Sequence, residues 1–348
     1  MYCTKTYPSP KGEITLVTLT NASGASVVIS NLGAGVVEVN VPDRAGNLAD
    51  VVLGYANPAD YIADGPCAGK VPGRYANRIA RGELKVDGVD YQLEINNGPN
   101  ALHGGSEGFQ NQIWTIESIN DNTVVMSYTA ADGEANYPGM LTARATYRWT
   151  EVNELELTLE ATTEAATVVN LTNHAYWNLA GHNAGSVLGE KLMLNASKYL
   201  PTDDTLIPEG VLAPVAGTPM DFTNAKTLGE EIKADFAALV YGKGYDNCWA
   251  VDNYVPGKVQ TVAVLSDDAT GRVLTVDSDQ PGVQIYTGNW LAGCPANKAG
   301  RSYDDYDGVA IECQDFPDAP HNASFPSTEL RPGEKYCRHI NFKFSVNS

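Results

Sequence analysis

The chain has five histidines, and one of them, His174, stands in an unusual stretch, "NLTNHAYWNLAG" (170–181). Taken with the two-residue period of a β-strand, residues 168–179 divide into two faces. Val169, Leu171, Asn173, Ala175, Trp177 and Leu179 make a mostly apolar one, and Val168, Asn170, Thr172, His174, Tyr176 and Asn178 a polar, uncharged one. An ordinary wet strand face carries lysine and glutamate. A row of amides and hydroxyls around one imidazole instead suits a small polyhydroxylated ligand. Histidine exchanges protons near neutrality, so His174 is a candidate acid–base group. The bland alternative is a core histidine satisfied by its neighbours.

A partner for it stands in "GVAIECQDFPDAP" (308–320), where Glu312 shares a strand face with Ala310 and Gln314. A carboxylate in so apolar a strand is costly unless it is hydrogen-bonded or functional. Partial burial lifts it from about 4.3 toward the range of a working general base; a structural ion pair is the competing account. "GVQIYTGNWL" (282–291) repeats the design, with Gln284 and Tyr286 on one face and Val283 and Ile285 on the other. "GRYANRIARGEL" (73–84) gathers Arg74, Asn77, Arg78 and Arg81, a notable basic cluster in an acidic chain. "NNGPNALHGG" (96–105) ends on His103 and two glycines, which would let backbone approach a ligand closely. "YGKGYDNCWAVD" (241–252) sets Asp246 between flexible glycines and an aromatic residue.

The elements that must position these groups are strands. "TARATYRWT", "ELELTLEAT" and "YCRHINFKFSV" alternate apolar and polar residues, the mark of antiparallel sheets with one wet face. "SDDATGR" (266–272) reads as the loop of a hairpin, and "VDGVD" (86–90) as a tight turn. Only 58–64 and 225–239 suggest helices. No linker or repeat divides the chain, so residues 1–348 are expected to form one all-β domain of two stacked sheets.

Composition narrows the partners. With 23 basic against 42 acidic residues the formal net charge is −19, which disfavours nucleic acid and anionic membrane surfaces. The N-terminal residues show no signal-peptide core, and no run of about 18 apolar residues could span a bilayer. Six scattered cysteines without a C-x-x-C pair point to free thiols in a reducing cytoplasm and give no zinc-ligand spacing.

Six blocks in this order, "GRYANRIARGEL", "NNGPNALHGG", "NLTNHAYWNLAG", "YLPTDDTLIPEG" (199–210), "GVQIYTGNWL" and "VAIECQDFPDAPHNASFPS" (309–327), resemble those of the aldose 1-epimerase (galactose mutarotase) family over about residues 5–345. The resemblance implies a large antiparallel β-sandwich of the galactose mutarotase-like supersandwich type, with a sugar cleft on one concave sheet and neither metal nor organic cofactor. The expected substrate is a free hexose such as glucose or galactose; with the acidity already noted, no nucleic-acid or membrane partner is expected, and the expected state is a monomer or weak homodimer. Matched position by position, His174 is the general acid and Glu312 the general base. Arg78 and His103 bind substrate near the ring oxygen. Asn77, Asp246 and Gln284 hydrogen-bond sugar hydroxyls, and Tyr176 joins them from the face of His174. One departure is visible: the family often has D-H-N before an aromatic, where this chain has "DNCW" (246–249). Three other readings stay open at this point. A glycoside hydrolase would pair Glu312 with Asp246, a binding protein would need no acid–base pair, and a hexose-phosphate epimerase would use the arginine cluster.

Overall fold

The computed structural model describes residues 1–347. Its largest element is a nine-stranded antiparallel sheet built on the alternating segments. Leu141–Trp149 pairs with Glu154–Thr163 from Leu141↔Thr163 to Trp149↔Leu155. Glu154–Thr163 pairs in turn with Tyr336–Val346. Ala143, Ala145, Tyr147, Leu155, Leu157 and Leu159 are fully buried on the inner face, joined by Ile340, Phe342 and Phe344. The hairpin expected around 266–272 is found as Gln260–Ser266 paired with Arg272–Ser278. The turn at 86–90 is found too, with Asp87 and Gly88 both at positive φ between Glu83–Val86 and Val89–Gln92.

A five-stranded meander occupies residues 2–50. A six-stranded sheet carries the chemistry, in the order Tyr176–Trp177, Val309–Gln314, Gly282–Tyr286, Asp246–Ala250, Lys198–Tyr199 and Ala213–Pro214. Its inner face sends Trp177, Trp249, Val283, Ile285, Val309 and Ile311 into the core shared with the nine-stranded sheet. Trp177 stacks at 4.9 Å on Phe342 and 5.5 Å on Phe344. That apolar core runs from Val17 to Phe344 and binds all three large sheets. The hydrophobic face therefore fixes the strand register, and the opposite face of the six-stranded sheet is left to line a cleft.

Three expectations are corrected. Residues 225–239 are not a helix: Lys226–Thr227 is an edge strand on Lys191–Leu192, and the only α-helix among the described residues is Ala237–Gly242. Leu228 and Ile232 are indeed buried, but turns bring them there, with Gly229 pressed against Leu188, and Leu239 is buried from the short helix. Residues 58–64 supply one 3₁₀ turn, Pro58–Tyr61, capped by the Asn57 side chain. The stretch 168–179 is strand only at Thr167–Val168 and Tyr176–Trp177, and both of its faces are buried. Its polar face is not wet. Asn170 donates to Ala76 O and Asp315 O, and Asn178 to Gly185 O and Asp307 O, so these two amides tie loops together.

Candidate active site

The cleft is a cavity of about 630 Å³ over the outer face of the six-stranded sheet, and His174, Tyr176, Asp246, Tyr286 and Glu312 line its floor. Register explains the grouping. Tyr176 lies opposite Ala310, Tyr286 opposite both Ala310 and Asp246, and Gln284 opposite Glu312. Alternation then turns Tyr176, Glu312, Tyr286 and Asp246 to the same side. His174 enters just before its strand begins. Its N–H donates to Lys70 O at 2.8 Å and its carbonyl accepts from Gly69 N–H at 2.9 Å. Lys70 is itself fixed by a buried ion pair with Asp64, so the backbone holding His174 is firmly anchored.

His174 Nε2 stands 3.5 Å from Glu312 Oε1, and the two residues are 4% and 2% exposed. His174 Nδ1 and Glu312 Oε2 have no protein partner. Burial pushes His174 down to about 4. Burial first, and the Asp246 charge second, push Glu312 well above the usual carboxylate range, with Arg78 opposing. The pair thus holds one proton near neutrality. Burial favours keeping that proton on Glu312, the arrangement in which both groups are uncharged. Its transfer across the 3.5 Å contact gives carboxylate and imidazolium, and either arrangement presents one donor and one acceptor side by side.

The opposite wall comes from loops. Asn77 and His103 both adopt left-handed backbone, with φ of 66° and 52°, a conformation that Asn and His tolerate better than most residues. Asn77 N–H donates to His103 Nδ1 at 2.9 Å, and His103 N–H donates to Asn77 O at 3.0 Å. Because Nδ1 accepts, the proton of neutral His103 sits on Nε2. Burial, then any positive charge developed on His174, then the Arg78 charge hold His103 well below the usual histidine range, so this N–H remains a neutral donor. Donor atoms of His103, His174 and Glu312 lie within 4.8 Å of one another, a spacing open to a metal ion. The His103 tautomer does not fit one: a protonated Nε2 has no lone pair to offer, and freeing it would break the Asn77 bond.

Arg78 Nε donates to Asn97 Oδ1 at 3.0 Å, and its Nη2 is 3.5 Å from Asp246 Oδ2. Gln284 Nε2 donates to Asp246 Oδ1 at 2.7 Å, so Asp246 is gripped from two sides. Gln284 stands beside Asp246 on the same face of the sheet but outside the lining of the main cavity, with its Oε1 buried and unpartnered. The arginine cluster does not assemble. Arg74 is buried on Pro138 O, Gly139 O and Thr167 Oγ1, Arg81 pairs with Glu83 in solvent, and only Arg78 reaches the cleft. The glycines after His103 serve the loop and not a ligand. A Cβ on Gly104 would meet Gly73 O at 2.1 Å, and one on Gly105 the Glu94 carboxylate at 2.5 Å.

The family model described as aldose 1-epimerase matches residues 15–343. The chain belongs to the aldose 1-epimerase family. The galactose mutarotase of Homo sapiens is 42% identical over 320 residues, 92% of this chain and 91% of its own length. The aldose 1-epimerase of Escherichia coli K12 is 36% identical over 339 residues, 97% of each. The crystal structure of an aldose epimerase homologue from C. elegans superposes with a TM-score of 0.88 at 28% identity, covering 99% of this chain and all of the other. A galactose 1-epimerase from Lactobacillus acidophilus superposes at 0.86 with 27% identity, covering 100% and 99%.

As an aldose 1-epimerase family member the chain keeps Asp246 in place despite the "DNCW" departure. Cys248 falls opposite Gln284 but is packed among Leu200, Phe316 and Phe325, and Asn247 is buried with neither amide atom partnered. Wall residues that the sequence reading did not select include Asn97, Asp204, Thr205, Tyr241 and Trp290. Asp204 and Thr205 lie in the quoted block 199–210 and Trp290 in the block 282–291, so order along the chain was the available signal.

Proposed function

We propose that the protein interconverts the α and β anomers of a free aldohexose such as glucose or galactose by acid–base opening and reclosure of the ring. One observation carries this reading: an imidazole and a carboxyl group from segments 138 positions apart, numbers 174 and 312, meet at 3.5 Å on the floor of a cavity roomy enough for a hexose. Glu312 as carboxylate takes the proton of the anomeric hydroxyl while imidazolium His174 protonates the ring oxygen. The C–O bond breaks to give the aldehyde, the C1–C2 bond turns, and closure on the other carbonyl face returns both protons. No net proton is consumed. Each well-placed acid or base contributes on the order of 10²–10⁴-fold, and holding the sugar between the two adds orientation.

Around this pair, the His103 Nε2–H and the Arg78 guanidinium donate to sugar oxygens near the ring oxygen. Asp246 and Asn77 bind hydroxyls farther along the ring, Tyr176 closes the floor, and Gln284 acts by holding Asp246 in position. The geometry favours this over glycoside hydrolysis, because Asp246 is engaged by Gln284 and Arg78 while an imidazole faces Glu312. A single arginine at the cleft favours a neutral sugar over a sugar phosphate. Six free cysteines suit a reducing compartment, and we assign the protein to the cytoplasm. The test is polarimetry with freshly dissolved α-D-glucose and α-D-galactose. Accelerated decay of optical rotation is expected, and rotation that decays at the buffer rate for both sugars would remove the proposal.

A further inference from the structure

We infer that Asp318, which does not line the cleft, is a positioning residue for it: by gripping the backbone on both sides of Ile79 it holds the Arg78 guanidinium where the sugar needs it. This rests on the epimerase reading above and adds to it a residue behind the cavity wall. Little else fixes Arg78. Residues 78–80 lie between left-handed turns at Asn77 and Arg81, with φ of 66° and 52°. On one side Arg78 and Ile79 pair only with Leu102 and Ala101, a ladder too short to be firm by itself. The other side is met by Asp318. Its N–H donates to Arg78 O at 2.9 Å, and its Oδ1 accepts from Ala80 N–H at 2.8 Å. Backbone and side chain of one residue thus form a two-pronged clamp.

The clamp is itself rigidly held. Asp318 is buried and adopts left-handed backbone, with φ of 54°, which aspartate tolerates better than most residues. The same Oδ1 accepts from His321 Nδ1 at 2.6 Å, a contact that lifts His321 above the ordinary histidine range. The Asp318 carbonyl accepts from Asn322 Nδ2 at 2.8 Å and from His321 N–H at 3.1 Å. On its other flank the Tyr75 hydroxyl donates to Phe316 O at 3.0 Å and accepts from Ala319 N–H at 3.1 Å. Tyr75 belongs to the same loop as Arg78, so residues 75–80 and 316–319 are stitched together at both ends.

What these bonds connect gives the clamp its function. Asp318 stands just beyond the strand Val309–Gln314, which carries Glu312. Arg78 comes from the opposite wall, where its Nη2 is 3.5 Å from Asp246 Oδ2 and its Nε donates to Asn97 Oδ1 at 3.0 Å. The clamp therefore ties the strand bearing the base to the loop bearing the guanidinium, and sets the spacing of two groups that act on one sugar. A shift of that loop by about 1 Å would loosen the Arg78 contacts to substrate and to Asp246, at a cost to rate that a general loss of stability does not produce.

The experiment compares Asp318→Gly, which keeps the left-handed turn and removes the carboxylate, with Asp318→Asn, which keeps an acceptor. Each is made in the wild type and in Arg78→Met. Polarimetry with α-D-glucose should show kcat/KM about tenfold lower in Asp318→Gly and within about twofold of wild type in Asp318→Asn. In the Arg78→Met background Asp318→Gly should cost less than about twofold more, because the residue through which it acts is gone. Equal losses in the two backgrounds would overturn the inference, as would equal losses in the glycine and asparagine variants or an unchanged rate in Asp318→Gly. Asp318→Ser, whose hydroxyl stops short of Ala80 N–H, takes the place of the glycine variant should circular dichroism show that one unfolded. Should the wild type not anomerise glucose, the epimerase reading fails separately. The clamp is then read from the NMR signal of the Arg78 Nε–H, identified by its absence from Arg78→Met. That signal should shift or broaden in Asp318→Gly and stay in place in Asp318→Asn; an unmoved signal in the glycine variant overturns the inference.

Discussion

Two glutamates in this molecule are alike in burial and differ in what their carboxyl groups face. Glu190 and Glu312 are each 2% exposed, burial raises both above the usual carboxylate range, and each has one oxygen without a protein partner. Glu190 follows the 3₁₀ turn Val187–Gly189 and points inward, where its Oε1 accepts from Leu179 N–H at 2.7 Å and from Ala180 N–H at 3.4 Å. Glu312 points into a cavity with an imidazole 3.5 Å away. A perturbed carboxyl is therefore no sign of catalysis by itself. The sign is a perturbed carboxyl with open space before it and a second group that can hold the same proton.

The largest effect should come from Glu312. Glu312→Gln keeps size and polarity but cannot accept the anomeric proton, and catalysed mutarotation should fall by about 10²–10⁴-fold. His174→Asn should fall by a similar factor. Because the two share one proton, the double variant should lose little more than either single one. Near wild-type polarimetric rates in either single variant, with circular dichroism unchanged, would refute the role given to that residue.

A pH profile sharpens the same point. Burial depresses His174 to about 4 and raises Glu312, so the one-proton state of the pair persists through neutrality. Below about pH 4 both groups carry a proton and nothing is left to accept another. The kcat/KM for glucose should be flat through neutrality and then fall about tenfold per pH unit below that point. An acid limb near pH 6.5, the ordinary histidine value, would show His174 to be far less buried during catalysis than the structure has it.

Arg78 should matter less than either. Its guanidinium holds Asp246 from one side while Gln284 holds it from the other, so Arg78→Met leaves the wall partly braced. Loss of a charge-assisted hydrogen bond to substrate corresponds to about ten- to a hundredfold in kcat/KM. Circular dichroism should be unchanged; an unfolded variant would make Arg78 a structural ion-pair residue instead.

The sequence disclosed the strands more faithfully than the polar positions between them. Alternation in 141–163 and 336–346 is a direct imprint of one-sided burial, and the register followed it. Glu312, Tyr286 and His174 could be picked out because polar groups interrupt apolar strands. The same rule misjudged Asn170 and Asn178, whose amides answer loop carbonyls that only the folded chain brings near. Arg74 and Arg81 were misjudged for a similar reason. Left-handed turns at Asn77 and Arg81 send neighbouring arginines in different directions, and nothing in their spacing encodes that. Trp290 was hidden by its type, since an aromatic in a strand-end loop ordinarily belongs to the core.

The smallest effect on activity, and the sharpest contrast, belongs to Glu190. Its carboxyl is raised from an ordinary 4.5 to about 8, with burial the main cause, the Leu179 and Ala180 N–H groups opposing and the Asp267 charge adding. The folded state thus keeps the proton over a range where the unfolded chain has released it. Below pH 4.5 both states are protonated and Glu190 costs nothing; as pH rises from there through about 8 the unfolded state is progressively favoured. Across that window the loss is on the order of 5 kcal/mol, at about 1.4 kcal/mol per unit. Glu190→Gln mimics the protonated carboxyl and still accepts from Leu179. Its urea midpoint should match the wild type near pH 4.5, exceed it increasingly toward pH 8, and leave mutarotation unchanged. An equal fall in both midpoints across that range would show that Glu190 is already ionised in the fold. A large loss of activity would erase the distinction between the two glutamates.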